Sequence, residues 1–420
     1  MAELYKICNG VDALFINGDR FNTTEISINF YMPLSGTDIA ATALLPFLLT
    51  SCGKNYPDVP SLSKTLLSLY GTEISGSCDK VGDNLWVRIY MNTLNDGVFS
   101  PTSLLDAAKC LKDLIFNPKV DAFGFSKSDF LRERMLTAEK IRAIKNDKRS
   151  LAIKNATALI FKGEAYGKYK LGELSEVLDL SPESVYAAYK AMLKKAYVRI
   201  LVIGKGDNRQ IVNLFGSAFS MLNRSDNALN ETKVVPVKEV LNKTEYADVA
   251  QSKLVLGFKY SFIEKDENSF ARAVFSDIFG GGTYSKLFSV VREKMGLCYY
   301  CSARNNRSKG FLTVDSGVLD KNLEKTKNEI LNQLELMKKG DFSDDVIVAS
   351  KTSLCDSLLS IPDSASSLDN WYGLRPEGTA ISPVVAAERI KQVKKEDIVL
   401  AANNPSLCVV YSIRPEAQHD

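Results

Sequence analysis

An internal duplication constrains this chain more than any single motif does. In the first copy, EISINFYMPL (25–34) alternates apolar and polar residues, the period of a strand. An apolar helical run from Ile39 to Leu49 follows and breaks at Cys52-Gly53. A short amphipathic segment, Ser61 to Tyr70, stops at Gly71, and strand-like TEISGSC (72–78) and LWVRIYM (85–91) come next. The second copy has the same order. KLVLGFKY (253–260) is the strand, Asn268 to Phe279 the helical run and Gly280 to Gly282 the break. Tyr284 to Met295 is the second helix, stopping at Gly296, and LCYYCSA (297–303) and FLTVDSGVL (311–319) are the paired strands. The two copies also end alike. SPESVYAAYKAMLKKAYVRILVIG opens with Ser181 as N-cap and Pro182 at the first helical position, and KKEDIVLAANNPSLCVVYSI, from Lys394, repeats the helix-then-strand pattern.

Between these ends lie long helical patterns: Leu104 to Phe116 and Ser126 to Phe161 in the first half, Leu323 to Leu359 in the second. Helices alternating with short paired strands predict an α+β fold, each half an antiparallel sheet with helices packed on it. The halves are placed at 1–222 and 243–420. The join, 223–242, is polar at its start, contains Pro236 and has little helical period, which reads as a linker.

Composition narrows the chemistry. A net charge of +3 on 420 residues is too balanced for a nucleic-acid binder. No basic n-region precedes an apolar stretch at MAELYKICNG, and Ala41 to Leu49 is about half a membrane span, so neither a signal peptide nor a membrane partner is expected. Eight scattered cysteines without an export signal fit reduced thiols in a cytoplasm. The one histidine is His419, the penultimate residue. No imidazole is available elsewhere for a catalytic triad or a two-histidine zinc site.

The stretch GGGTYSKLFSVVREKMGLCYYCSAR (280–304) draws most attention. It is not a phosphate loop, because no glycine precedes Lys286 at the required spacing. VIGKGD offers Gly204 and Gly206, but Arg209 stands where a dinucleotide fingerprint needs its third glycine. In a regular strand Cys298 and Cys301 point to opposite faces, which predicts two buried or half-buried thiols and no metal site. Tyr284, Leu287, Phe288, Val291 and Met295 recur at helical spacing as one core stripe. Arg292 lies off that stripe, near the C-terminal end of the helix, where its charge suits the dipole, and Gly296 follows as the C′ residue. Tyr299 is placed on a strand face with Leu297 and Cys301. Arg292 and Tyr299 either converge at this helix-turn-strand corner, or cap the helix and fill the core.

GGGTYSKLFSVVREKMGLCY, Gly280 to Tyr299, resembles the C-terminal signature of insulinase-like (M16) metallopeptidases, relatives of the mitochondrial processing peptidase. GEAYGKYKLGELSEVL (163–178) and the duplication itself extend the resemblance over nearly the whole chain. It implies two related α+β halves in a clam-like shell. Active members carry an inverted zinc motif, His-x-x-Glu-His, on the helix after the first strands. Here that helix reads ATALLPFLLTSC, with Ala43, Pro46 and Phe47 at the motif positions. Glu133 or Glu139 stands where the distant ligand would be sought, and one carboxylate cannot hold zinc alone. Some members pair a zinc-bearing subunit with one that lacks the metal. The resemblance therefore implies a bacterial, non-catalytic subunit of a heteromeric zinc peptidase, inactive alone, with zinc in its partner and no metal or other cofactor of its own. Arg292, Tyr299 and the Gly280, Gly281, Gly282 loop would contact an extended peptide substrate at the partner's metal. The alternative is a peptide- or protein-binding scaffold of the same fold without peptidase work.

Overall fold

The structure, a computed structural model, describes residues 2–96, 98, 103–205, 209–225, 227–263, 269–377 and 380–416. His419, Gly206 and Asn268 lie outside the described residues. The described residues pack as two units, and neither is a continuous stretch of chain. The first contains 1–142, 168–231 and 361–380; the second contains 143–167, 232–360 and 381–420.

The first unit is built on a six-stranded sheet. Its strands are β1 (Ala2–Cys8), β2 (Val11–Asn17), β3 (Thr23–Pro33), β4 (Glu73–Val81), β5 (Asn84–Leu94) and β8 (Tyr197–Gly204), in the order β1-β2-β8-β3-β5-β4. A two-residue ribbon supplies β6 (Val120–Asp121) and β7 (Gly124–Phe125). The second unit has a five-stranded sheet of β9 (Leu241–Ala247), β10 (Ser252–Lys259), β11 (Cys298–Asn306), β12 (Phe311–Val318) and β13 (Ser406–Pro415), ordered β11-β12-β10-β13-β9. The two orders superimpose, β4-β5-β3-β8-β2 upon β11-β12-β10-β13-β9, with β1 the extra edge. The duplication is thus one of topology as well as pattern. Each sheet is antiparallel except at one ladder, where β2 runs parallel to β8 and β9 parallel to β13. The polar stretch before β9 forms neither helix nor strand over 227–240, and Leu241 and Asn242 already belong to β9.

One face of each sheet is apolar. Ile26, Ile28 and Phe30 of β3 are buried and alternate with polar Ser27 and Asn29; α7 (Pro182–Lys195) packs on β3, α1 (Ile39–Leu49) on β4 and β5, and α3 (Ser103–Phe116) on β5. In the second unit Leu254, Leu256 and Phe258 form one core with Val274, Phe275, Ile278 and Phe279 of α9 (Phe270–Gly280). The helix starts follow their capping signals: the Ser181 side chain accepts the Ser184 N–H ahead of Pro182, and that of Asp38 accepts from Ala41.

The long helical patterns are broken where a new cap arises. Ser126–Phe161 divides into α4 (Lys127–Ala143) and α5 (Lys148–Ile160), because the Asp147 side chain takes the Arg149 and Ser150 N–H groups and starts a fresh helix. Leu323–Leu359 divides into α10 (Leu323–Lys338) and α11 (Asp344–Ser360) at Gly340, φ +75°. The chain also exchanges helices, passing to the second unit at 142/143 and back to the first at 360/361. α5, from the first half, covers the outer face of the second sheet, against β10 and β13. α12 (Ala365–Gly373), from the second half, covers the outer face of the first sheet, against β3 and β8.

Both exchanged helices are seated by buried polar contacts. On the first sheet Arg88 of β5 pairs with Asp369 of α12 and with Glu25, 3.1 Å away. The Ser27 hydroxyl donates to Asp369, and Tyr31 donates to the Gly373 carbonyl at 2.6 Å. On the second sheet Arg149 of α5 pairs with Asp315 of β12 at 2.5 Å, and Gly257 of β10 lies so close to Ile160 that a Cβ there would sit 2.4 Å from its side chain. Among the described residues no helix is long and apolar enough to cross a membrane.

Candidate functional site

The glycine run comes first in the chain and has a packing reason. A Cβ on Gly280 would meet the Ala303 backbone nitrogen at 2.5 Å, so the glycine lets the end of α9 sit flush against β11. Gly280 is buried; Gly281 is exposed and Gly282 half-buried. The surface part of the run is therefore Gly281-Gly282.

The next segment corrects the expected α-helical stripe. Leu287–Lys294 is wound as a π-helix, and the Met295 N–H reaches back to the Val290 carbonyl at 2.9 Å. Leu287 and Val291 are fully buried, while Tyr284, Phe288 and Met295 are only half-buried. The wider winding turns Phe288 away from the core and toward Arg292, whose guanidinium lies 4.5 Å from the ring centroid. Such segments are uncommon and concentrate at functional sites. Gly296 ends the segment as expected, at φ +59° with its N–H on the Arg292 carbonyl, the left-handed residue that glycine adopts without cost.

The strand that follows corrects two further expectations. Cys298 faces Val318 and Tyr300 faces Gly317, so Tyr299 has no partner residue: the edge strand β11 carries a β-bulge. Regular alternation resumes at Tyr300, which turns toward Arg149 of α5, while Cys301 and Ala303 turn to the core. Tyr299 therefore does not share a face with Leu297 and Cys301. Those two are buried, and Tyr299 is 53% exposed. For the same reason Cys298 and Cys301 do not oppose each other across the strand; both enter the same core cluster. The expectation of buried thiols holds, but their placement on opposite faces does not. A signal was present in the sequence. Apolar or sulfur residues at 297, 298 and 301 fit no period-2 strand, and one extra residue reconciles them.

Arg292 is 41% exposed at its side chain. Its partners among the described residues are the Glu293 carboxylate, 3.4 Å away, and the Phe288 ring. The corner thus presents a guanidinium and a phenol, one at the end of a π-helix and one at a bulge, neither tied into a buried ion pair.

The helix where the resemblance sets a zinc motif is α1. Its residues are buried all round except Phe47, and the Lys140 ammonium of α4 lies 3.8 Å from the Phe47 ring centroid. Ala43, Pro46 and Phe47 offer no metal donor. Glu133 is buried and accepts from Arg132 at 3.0 Å, and Arg132 also holds Asp129 and Ser51. Glu139 is exposed. These residues do not fit a zinc ion: Ala43, Pro46 and Phe47 carry no donor atom, a lysine cation lies against the Phe47 ring, and Glu133 is engaged by Arg132.

Four similarities to known proteins accompany this geometry. Residues 179–354 match the family model described as the peptidase M16 inactive domain. The chain is 29% identical, over 98% of its length and 97% of the relative's, to the probable inactive metalloprotease YmfF of Bacillus subtilis. Among solved structures, a conserved protein from Enterococcus faecalis is 28% identical and superimposes over the full length of both chains with a TM-score of 0.91. A peptidase M16 inactive domain from Pseudomonas fluorescens, 15% identical, shares the fold over 100% of this chain and 99% of its own at a TM-score of 0.81. Over its whole length the chain is thus similar to a probable inactive metalloprotease, its residues 179–354 match the peptidase M16 inactive domain, and it has no His-x-x-Glu-His motif.

Proposed function

We propose that this chain is the non-catalytic subunit of a heteromeric M16-type zinc peptidase. Arg292 and Tyr299, with the Gly281-Gly282 backbone, hold an extended peptide at the zinc site of a partner subunit. The observation that carries this reading is the bulge at Tyr299. It leaves Tyr299 exposed while Leu297, Cys298 and Cys301 of the same segment are buried, and Arg292, before the turn, is half-exposed. Bulges and π-turns cost regular hydrogen bonding, and their use here aims two hydrogen-bond donors outward. Both donors suit a peptide carbonyl oxygen, and both would stabilise the charge that develops on it during attack by a metal-bound water. β11 is an edge strand, so an extended peptide can add to it through backbone hydrogen bonds.

The test is reconstitution with a zinc-bearing homologue. Alone, the chain should cleave nothing. In the complex, Arg292→Ala should lower kcat by about 100-fold, the scale of losing one donor to the transition-state oxyanion. Tyr299→Phe should act in the same direction while assembly, followed by size-exclusion chromatography, is unaltered. Full turnover in both variants overturns the reading, and a stable complex without peptidase activity assigns the chain to scaffolding instead.

A further inference from the structure

We propose that Cys298 and Cys301 form a reversible dithiol–disulfide site, and that its oxidation moves Tyr299. The argument starts from the register of β11. Cys298 lies opposite Val318 and Cys301 opposite Ser316, positions two apart on β12. At a strand rise of about 3.3 Å per residue, the two Cα atoms are roughly 6.6 Å apart with side chains on one face. That is at the upper end of the Cα separations a disulfide spans, about 4.4–6.8 Å. Without the bulge the residues would be a full three positions apart and on opposite faces, beyond reach.

The surroundings favour an asymmetric pair. The two thiols enter one core cluster and act on each other, Ser316 lies opposite Cys301 with its hydroxyl donating to the Tyr300 carbonyl at 2.8 Å, and the Arg292 guanidinium adds its charge. Together, led by Cys301 and against the opposing effect of burial, they hold Cys298 below the ordinary thiol range. Cys298 and burial push Cys301 up. Cys298 is thus the attacking thiolate and Cys301 the resolving thiol. Both are nearly enclosed, Cys298 at 9% exposure and Cys301 at 6%.

The co-reactant is a low-molecular-weight disulfide, RSSR. The Cys298 thiolate attacks one of its sulfurs, forms a mixed disulfide and releases RS⁻, which takes up the proton Cys298 gave away. The Cys301 thiol then loses its proton, displaces the second RS⁻ and closes the Cys298–Cys301 bond. The dithiol loses two electrons and two protons, and RSSR becomes two RSH. Closing the ring shortens the span between the two residues and deepens the bulge. Tyr299, which sits inside that ring, must move. The effect on peptide turnover rests on the role proposed above for Tyr299; the thiol chemistry does not.

The experiment exposes the full reduced chain to oxidised glutathione, unfolds it, alkylates free thiols with N-ethylmaleimide and maps the peptides by mass. The segment holding both cysteines should lose two hydrogens, carry no alkyl group and recover both thiols after reduction. Cys301→Ser should instead retain glutathione on Cys298, and Cys298→Ser should form neither product. Recovery of both cysteines as alkylated thiols in the wild-type chain overturns the site. In the reconstituted complex, oxidation should lower turnover in the wild type and leave Cys298→Ser unaffected. If the bond forms and turnover is unchanged, the coupling to Tyr299 is wrong. If Tyr299→Phe itself is without effect, the peptide role fails while the mass measurement still decides the thiol chemistry.

Discussion

The two units solve one structural problem with opposite charges. In the first, the sheet strand β5 supplies the arginine, Arg88, and the exchanged helix α12 supplies the carboxylate, Asp369. In the second, the equivalent strand β12 supplies the carboxylate, Asp315, and the exchanged helix α5 supplies the arginine, Arg149. Each device orients a helix on the outer face of a sheet whose other face is apolar. The surroundings differ. Arg88 is almost fully buried and faces two carboxylates, Asp369 and Glu25. Arg149 is about one-third exposed. The units also differ at the helix–strand corner. In the first, the regular helix α2 (Val59–Ser68) ends at Gly71, φ +76°, and β4 pairs with β5 in unbroken register. In the second, the same corner is a π-helix, Gly296 and a bulge. A duplicated topology therefore tolerates local irregularity in one copy, and the irregular copy is the one that exposes Arg292 and Tyr299.

The largest difference should come from the ion pairs. Arg88→Met leaves Glu25 and Asp369 buried without their cation and should destabilise the first unit by about 3–5 kcal/mol. Arg149→Met should cost the second unit less, because solvent already reaches that side chain. Amide hydrogen exchange read separately at β5 and β12 tells the units apart. Equal losses in both would erase the distinction drawn from burial.

Next in size is a pH effect confined to the first unit. Burial, then the neighbouring Asp369 carboxylate, push Glu25 up to about 7 against the pull of Arg88. Burial pushes Asp369 in the same direction. A carboxyl raised on folding binds its proton more tightly in the folded state. Its contribution to stability is complete below the unfolded value, about 4.3 for glutamate, and disappears as pH rises through the folded value near 7. Protection of β5 should therefore fall between about pH 4.5 and 7 while that of β12 does not follow it. Glu25→Gln should flatten the profile, and a slope that persists in this variant would assign the effect to another group.

The smallest effect tests the corners. No side chain lies within 4 Å of a Cβ built on Gly71 or Gly296, so alanine at either is opposed by backbone conformation alone. Gly71→Ala and Gly296→Ala should each cost about 1–2 kcal/mol, measured by denaturant unfolding. A much larger loss at Gly296 would mean that the π-helix and bulge depend on that turn in a way the regular corner does not.

Much of this fold was legible residue by residue. Alternation marked β3, β5, β10 and β12, Ser181-Pro182 marked the start of α7, and Gly296 marked the end of its segment, because each signal acts within a few residues. The empty motif at Ala43, Pro46 and Phe47 was legible for the same reason: a side chain without a donor atom cannot ligate in any fold. The breaks inside Ser126–Phe161 and Leu323–Leu359 were less visible, since a continuous helical pattern masks a cap as short as Asp147.

What the sequence by itself determined, then, is the order of elements, the duplication and the lack of a histidine for metal outside the tail. Tertiary structure alone decided which unit receives α5 and α12 and that 287–294 winds as a π-helix, and it fixed at Tyr299 the extra residue that the pattern at 297, 298 and 301 only hinted at. The reason is the range of the forces involved. Caps and periods are read locally, whereas the choice between hydrogen-bond ladders, and between one strand register and the next, is made by the sheet and core against which the segment must pack.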